Sequence, residues 1–244
     1  MRETWRTPVV YLFVVGALIL VPGLKAQQKA PIAEQVAKAY GLDSWGQIDA
    51  VRYTFNVNIG PTIKLSRSWI WEPKSGKVSF DGMTKDGKPL KVTYLRSDLA
   101  NQPAVVKEEV DPGFMNDMYW LTFPLHLAWD GSVTVEDRGM HKLPIGVGTA
   151  DWVVAKYPDG VGYTPGDTWE LFVGPDKVVT AFVYRRGGPT KPSVVIATWK
   201  DYKKAGPLSI ATDHPGTADG NPFRMFFTGV AVKLAGSDTW VDAK

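Results

Sequence analysis

The chain has 244 residues, 44% of them hydrophobic and 22% charged, which is enough apolar material for a full core and excludes a disordered chain. It contains no cysteine, so disulfides, thiol catalysis, cysteine-held metals and a lipid-acceptor cysteine are all excluded. A formal net charge of only +3 gives no basis for nucleic-acid binding.

At the N-terminus, Arg2 and Arg6 precede an apolar stretch from Val9 to Val21, which Pro22 and Gly23 break before the small Ala26. This pattern reads as a secretory signal peptide over residues 1–26, leaving residues 27–244 as a single domain. The apolar stretch is shorter than the ~20 residues of a bilayer-spanning helix. Removing it takes away Arg2, Glu3, Arg6 and Lys25 and lowers the net charge to +1. The expected location is periplasmic or secreted, with peripheral or no membrane contact.

The next stretch, "PIAEQVAKAYG", predicts one amphipathic helix. Ile32, Ala33, Val36, Ala37 and Tyr40 share a face, Pro31 suits the first turn, and Gly41 suits the position just past the end. Period-two alternation follows. "VRYTFNVNI" sets Val51, Tyr53, Phe55, Val57 and Ile59 on one face and Arg52, Thr54, Asn56 and Asn58 on the other, a strand wet on one side. "KLSRSWIWEP" repeats the pattern with Leu65, Trp69 and Trp71, and shorter strands fit "GKVSFDG" and "PLKVTYLR".

From Ser97 to about Trp129 the alternation stops, and Pro103, Pro112 and Pro124 divide the section into a short helix, "AVVKEEV", and a dense apolar run around Tyr119 to Leu127. That run is too short and too broken to span a bilayer and reads as a lid. Strands resume at "SVTVEDRG", "ADWVVAKYPD", "DTWELFVGP", "DKVVTAFVYRRG", "SVVIATWKDYKKAG", "LSIAT" and "FFTGVAVKL", with a hairpin through Gly174-Pro175-Asp176. The expected fold is mainly β, of the α+β type. A single curved antiparallel sheet forms an incomplete barrel, with an N-terminal helix and a helical, proline-divided lid.

No catalytic set or metal site assembles from the sequence, and no cofactor is implied. His126, His141 and His214 stand apart without paired ligand spacing and read as surface or loop residues. Glu108 and Glu109 diverge on a helix, and no GxSxG element is present. An enzyme built on Arg67, His126 and Glu72 is the weakest reading.

Aromatic residues dominate instead: nine of the ten tryptophans lie beyond the signal segment. Phe55, Trp69, Trp71, Trp169 and Phe182 fall on inward strand positions, and Tyr119, Trp120 and Phe123 fall on the lid. One sheet and one small helix cannot hide so many large side chains, so a cover, an apolar ligand or a partner chain is expected over the concave face. Arg67 shares the face of Leu65, Trp69 and Trp71. It is expected to snorkel out at a strand end, or otherwise to meet an anionic headgroup or carboxylate at the mouth of an apolar cavity.

"NDMYWLTFPLHL", "WELFVGPDKVVTAFVYR" and "TWKDYKKAGPLSI", with the order of elements from Ile32 to Thr212, resemble the LolA/LolB-like bacterial envelope superfamily and its uncharacterised exported members. The resemblance implies a half-barrel around a hydrophobic cavity with helices as its lid, holding lipid or an acyl chain. The missing acceptor cysteine departs from the membrane-anchored receptor type. The reading is therefore a soluble envelope protein binding an apolar or amphiphilic ligand non-covalently through Phe55, Arg67, Trp69, Trp71, Tyr119, Trp120, Phe123, Trp169 and Phe182. The rival reading is a protein-binding or sensor module that takes up another envelope protein at its sheet edge or concave face.

Overall fold

The computed structural model describes residues 29–160, 165–187 and 193–244, so the expected signal peptide lies outside the described residues. Helix α1 (Pro31–Ala39) buries Ile32, Ala33, Val36 and Ala37 and starts on Pro31, whose missing N–H is not needed at a first turn. Gly41 ends it at φ +103°. A Cβ there would sit 2.8 Å from the Pro207 carbonyl oxygen and 2.9 Å from Leu208 Cδ2, so only glycine fits this close approach.

Four strands follow as a meander: β1 (Ile48–Ile59), β2 (Ile63–Glu72), β3 (Lys77–Met83) and β4 (Pro89–Leu95). After α2 (Asp111–Trp129) come β5 (Thr134–Lys142), β6 (Thr149–Lys156), β7 (Thr168–Val173), β8 (Val179–Arg185) and β9 (Val194–Thr198). The last group is β10 (Lys200–Ala205), β11 (Leu208–Ala218), β12 (Asn221–Leu234) and β13 (Trp240–Asp242). They form one antiparallel sheet in the order β4-β3-β2-β1-β12-β11-β9-β8-β7-β6-β5, with β10 added on β11 and β13 on β12. Strands β4 and β5 end the sheet without meeting, so the barrel is incomplete as expected.

Local irregularities bend this sheet. Its register shifts between β1 and β12 at Ile48/Ala50 and at Arg52/Thr54, and between β7 and β8 at Phe172/Val173. Each such bulge adds right-handed twist. The curvature is read directly from what α2 touches. Phe114 of α2 meets Trp69 and Trp71 of β2 at ring-centroid distances of 5.6 and 5.8 Å. On its other side Phe123 stacks on Trp169 of β7 at 3.8 Å, and Trp120 meets Phe182 of β8 at 5.6 Å. Five strands separate β2 from β7 in the sheet, so one helix can touch both only if the sheet wraps around it.

The proline-divided section is therefore more continuous than its sequence suggests. The expected short helix passes through a wide i→i+5 turn (Val106–Val110) directly into α2, which runs on through Pro124. A proline inside a helix costs about 3 kcal/mol. Buried apolar side chains offset this at about 1.5–3 kcal/mol each, and α2 buries Phe114, Met115, Met118, Leu121, Phe123, Leu125 and Leu127 among others. Such a helix is apolar all round because the sheet surrounds it. A second departure lies at Trp199, which is buried and donates its backbone N–H to the Thr180 carbonyl at 2.8 Å. It splits the expected single strand into β9 and β10. Among the described residues no helix is long and apolar enough to cross a membrane.

Candidate functional site

The residues expected to line a cavity lie on two opposite walls of α2. On one side Phe55, Arg67, Trp69 and Trp71 face its N-terminal half, and on the other Trp169 and Phe182 face Tyr119, Trp120 and Phe123. Phe55, Trp69, Tyr119, Phe123, Trp169 and Phe182 are buried, whereas Trp71 and Trp120 are half-buried. Most of these rings pack on α2 and on one another, so the apolar run read as a lid fills the half-barrel rather than merely covering it.

Arg67 turns inward instead of snorkelling. Its Nε donates to Asp117 Oδ2 at 2.8 Å and its Nη2 to Oδ1 at 2.5 Å. Asp117, 0% exposed, also accepts from Trp69 Nε1 at 2.8 Å and Asn116 Nδ2 at 3.0 Å. Burial pushes the Asp117 carboxyl above its usual range, and the Arg67 guanidinium opposes that push. Gly113, one turn earlier, makes room for the arginine: a Cβ there would lie 3.1 Å from Arg67 Nη1. Asp117 was not legible in the sequence, since its partner Arg67 lies 50 residues away.

A second polar cluster closes the other end of α2. Asp130 accepts from the hydroxyl of Tyr119, from the Tyr157 hydroxyl at 2.9 Å, and meets His126 Nδ1 at 3.1 Å. Burial by itself would raise the Asp130 carboxyl, but His126, Tyr119 and Tyr157 together hold it below its usual range. Lys29 Nζ donates to the Leu127, Ala128 and Asp130 carbonyl oxygens at 2.9, 3.1 and 2.6 Å, placing a cation on the helix C-terminus. His126 is thus buried, and so is His214, which corrects the expectation of surface or loop positions for both. His141 is exposed. Among the described residues no group of His, Asp and Glu is placed to hold a metal ion.

A small hollow of about 100 Å³ lies beside Leu65, Arg67, Phe80 and Val110, and a larger inner cavity of about 270 Å³ lies between α2 and strands β7 and β8. From α2 it is lined by Asp111, Pro112, Met115, Asn116, Tyr119 and Trp120, and across from them by Asp167, Trp169 and Tyr184. Trp120 lies 4.6 Å from Trp169 and 5.3 Å from Tyr184 between ring centroids, and Trp169 lies 4.7 Å from Tyr184. Asp111 is buried against the Arg96 guanidinium at 2.8 Å and the Tyr94 hydroxyl at 2.9 Å. Of the nine residues expected from sequence, Tyr119, Trp120 and Trp169 reach this cavity. Asp111, Pro112, Met115, Asn116, Asp167 and Tyr184 were missed.

Larger grooves, of about 490 and 690 Å³, run along the outer face of β1 to β4. Their hydroxyls already pair across strands, Thr54 with Ser68 and Ser79 with Thr93, each at 2.8 Å. Those pairs leave the outer groove without an unmet polar demand, and the inner cavity is the better candidate.

No protein-family model matches the chain, and no curated protein matches it. Among solved structures it is similar to a DUF1329 family protein from Desulfovibrio piger, with 9% identity and a TM-score of 0.45 over 85% of this chain and 94% of that one. It is also similar to a LolA superfamily protein from Nitrosomonas europaea, with 7% identity and a TM-score of 0.45 over 82% of this chain and 93% of that one.

Proposed function

We propose that the chain is an exported envelope protein whose residues 27–244 act as one carrier unit. It holds a small apolar or amphiphilic molecule, such as a single acyl chain, without covalent chemistry in the cavity between α2 and strands β7 and β8. The observation that carries this reading is the 270 Å³ hollow beside the half-buried rings of Trp120 and Tyr184. Its volume stands near the lower end of small-molecule sites, which run from about 300 to 1,000 Å³. One chain or one ring system fits such a space, and a whole diacyl lipid does not. Export rests on the N-terminal sequence pattern alone.

Burial of apolar surface sets the expected affinity. Each methylene that enters contributes about 0.8 kcal/mol, about a fourfold gain in affinity, until the hollow is full. A series of straight-chain alcohols titrated against tryptophan emission is expected to show that increment and then a plateau. Trp120→Ala is expected to weaken the best binder about tenfold or more, through loss of one wall. Flat emission throughout the series, together with no small molecule retained in native mass spectra of protein purified from its own envelope, would remove the proposal.

A further inference from the structure

Three aspartates, Asp111, Asp117 and Asp167, are buried. Two of them meet an arginine: Asp111 is 2.8 Å from Arg96 Nε and Asp117 is 2.5 Å from Arg67 Nη2. Asp167 does not. Its Oδ2 accepts from the Tyr184 hydroxyl at 2.8 Å and its Oδ1 from the Gly187 N–H at 2.8 Å, both neutral donors. Among the described residues no lysine, arginine or histidine nitrogen lies within 4.0 Å of it. Arg186, which is exposed, stands near the Tyr184 hydroxyl without pairing with the carboxylate.

A carboxylate that is 5% exposed and has no ion-pair partner within 4.0 Å among the described residues is costly to bury. Here it lines the inner cavity beside Trp120, Trp169 and Tyr184. Aromatic faces attract cations within about 6 Å of the ring centre, most strongly where water is excluded. Because Arg96 already pairs with Asp111, Asp167 is the cavity carboxylate that lacks a direct ion pair among the described residues. The Trp120 ring on α2 faces a wall that carries the Asp167 carboxylate together with the Trp169 and Tyr184 rings, and an organic cation is the ligand group that a carboxylate and aromatic faces both attract.

We infer that the ligand of this cavity carries an alkylammonium group, which Asp167 and the three rings receive while the attached chain fills the apolar remainder. This inference rests on the cavity being the ligand site, as proposed above. The same chemistry occurs in a free long-chain amine and in the ammonium end of a single-chain zwitterionic phospholipid.

Four probes of equal chain length separate the cases: decyltrimethylammonium, decylphosphocholine, decanol and decanoate, each titrated below its micelle concentration at pH 8 against tryptophan emission. Decyltrimethylammonium is expected to bind about tenfold or more tighter than decanol, with decanoate weakest. Decylphosphocholine matching the quaternary amine identifies a lipid headgroup as the source, and its binding no better than decanol identifies a free amine; either result supports the ammonium. Equal affinity for decyltrimethylammonium, decanol and decanoate overturns the inference and leaves the apolar site standing. Binding of none of the four overturns both. Asp167→Asn keeps its one side-chain oxygen as the acceptor for the Gly187 N–H and can donate from its amide to the Tyr184 hydroxyl oxygen, so it is expected to lose the preference for the cation while retaining decanol. Retention of the full preference by that variant also overturns the inference. Should it fail to fold, the four-probe comparison on the parent protein decides alone.

Discussion

Asp117→Ala is expected to destabilise the protein by about 3–5 kcal/mol, read as a lowered urea midpoint at pH 7 with an unchanged slope. The removed carboxylate is fully buried and accepts four hydrogen bonds, two of them from Arg67. Without it, a largely buried guanidinium and the indole N–H of Trp69 lose their acceptor while remaining enclosed by Phe55 and α2. That loss is far larger than the net worth of the intact pair, because bringing both charges out of water already used most of their mutual attraction. The double variant Arg67→Met, Asp117→Leu is accordingly expected to recover most of the stability. An Asp117→Ala midpoint equivalent to less than about 1 kcal/mol, the range of a surface ion pair, would show that the pair does not anchor α2 to β2.

The second large effect concerns acid. His214 on β11 is 0% exposed and packs edge-on against Trp199, Phe227 and Phe182, at 4.6, 5.9 and 6.3 Å between ring centroids. Burial lowers its pKa from 6.5 to about 4, against the opposing pull of the Thr198 and Ala211 carbonyls and the Asp213 charge. Between those two values the unfolded chain binds a proton that the folded chain refuses, so unfolding grows more favourable as pH falls. This group's contribution is intact above pH 6.5 and is lost by about pH 4. The shift corresponds to about 3 kcal/mol. His214→Met is expected to flatten stability against pH in that window while carboxylate titration persists below it. An unchanged slope in the variant would show that His214 does not carry the linkage.

Part of this could be anticipated from local pattern. Alternation over a few residues was enough to place Val51, Tyr53 and Phe55 inward on β1, and Pro31 and Gly41 marked the limits of α1. The turn at Gly174-Pro175-Asp176 does join β7 to β8. Residues up to ten positions apart decide such features through sterics and period, so they are legible before any folding is considered. Strand β11 shows where that reading stops. Its sequence reads as a strand ending at Thr212, because Asp213, Pro215 and Gly216 are turn formers, yet β11 continues to Ala218 with Pro215 opposite Arg224. Missing that extension hid the burial of His214.

The sequence by itself determined the strand faces, the single N-terminal helix, the antiparallel class and the wealth of inward aromatic rings. Tertiary structure alone decided how those rings are used, because that depends on the sheet curling around α2. The same docking pairs Arg67 with Asp117 and sets Tyr184, which donates to Asp167, opposite Trp120. Each of these contacts joins residues far apart in the chain, and what fixes them is sheet register and helix packing, for which neighbouring residues carry no signal.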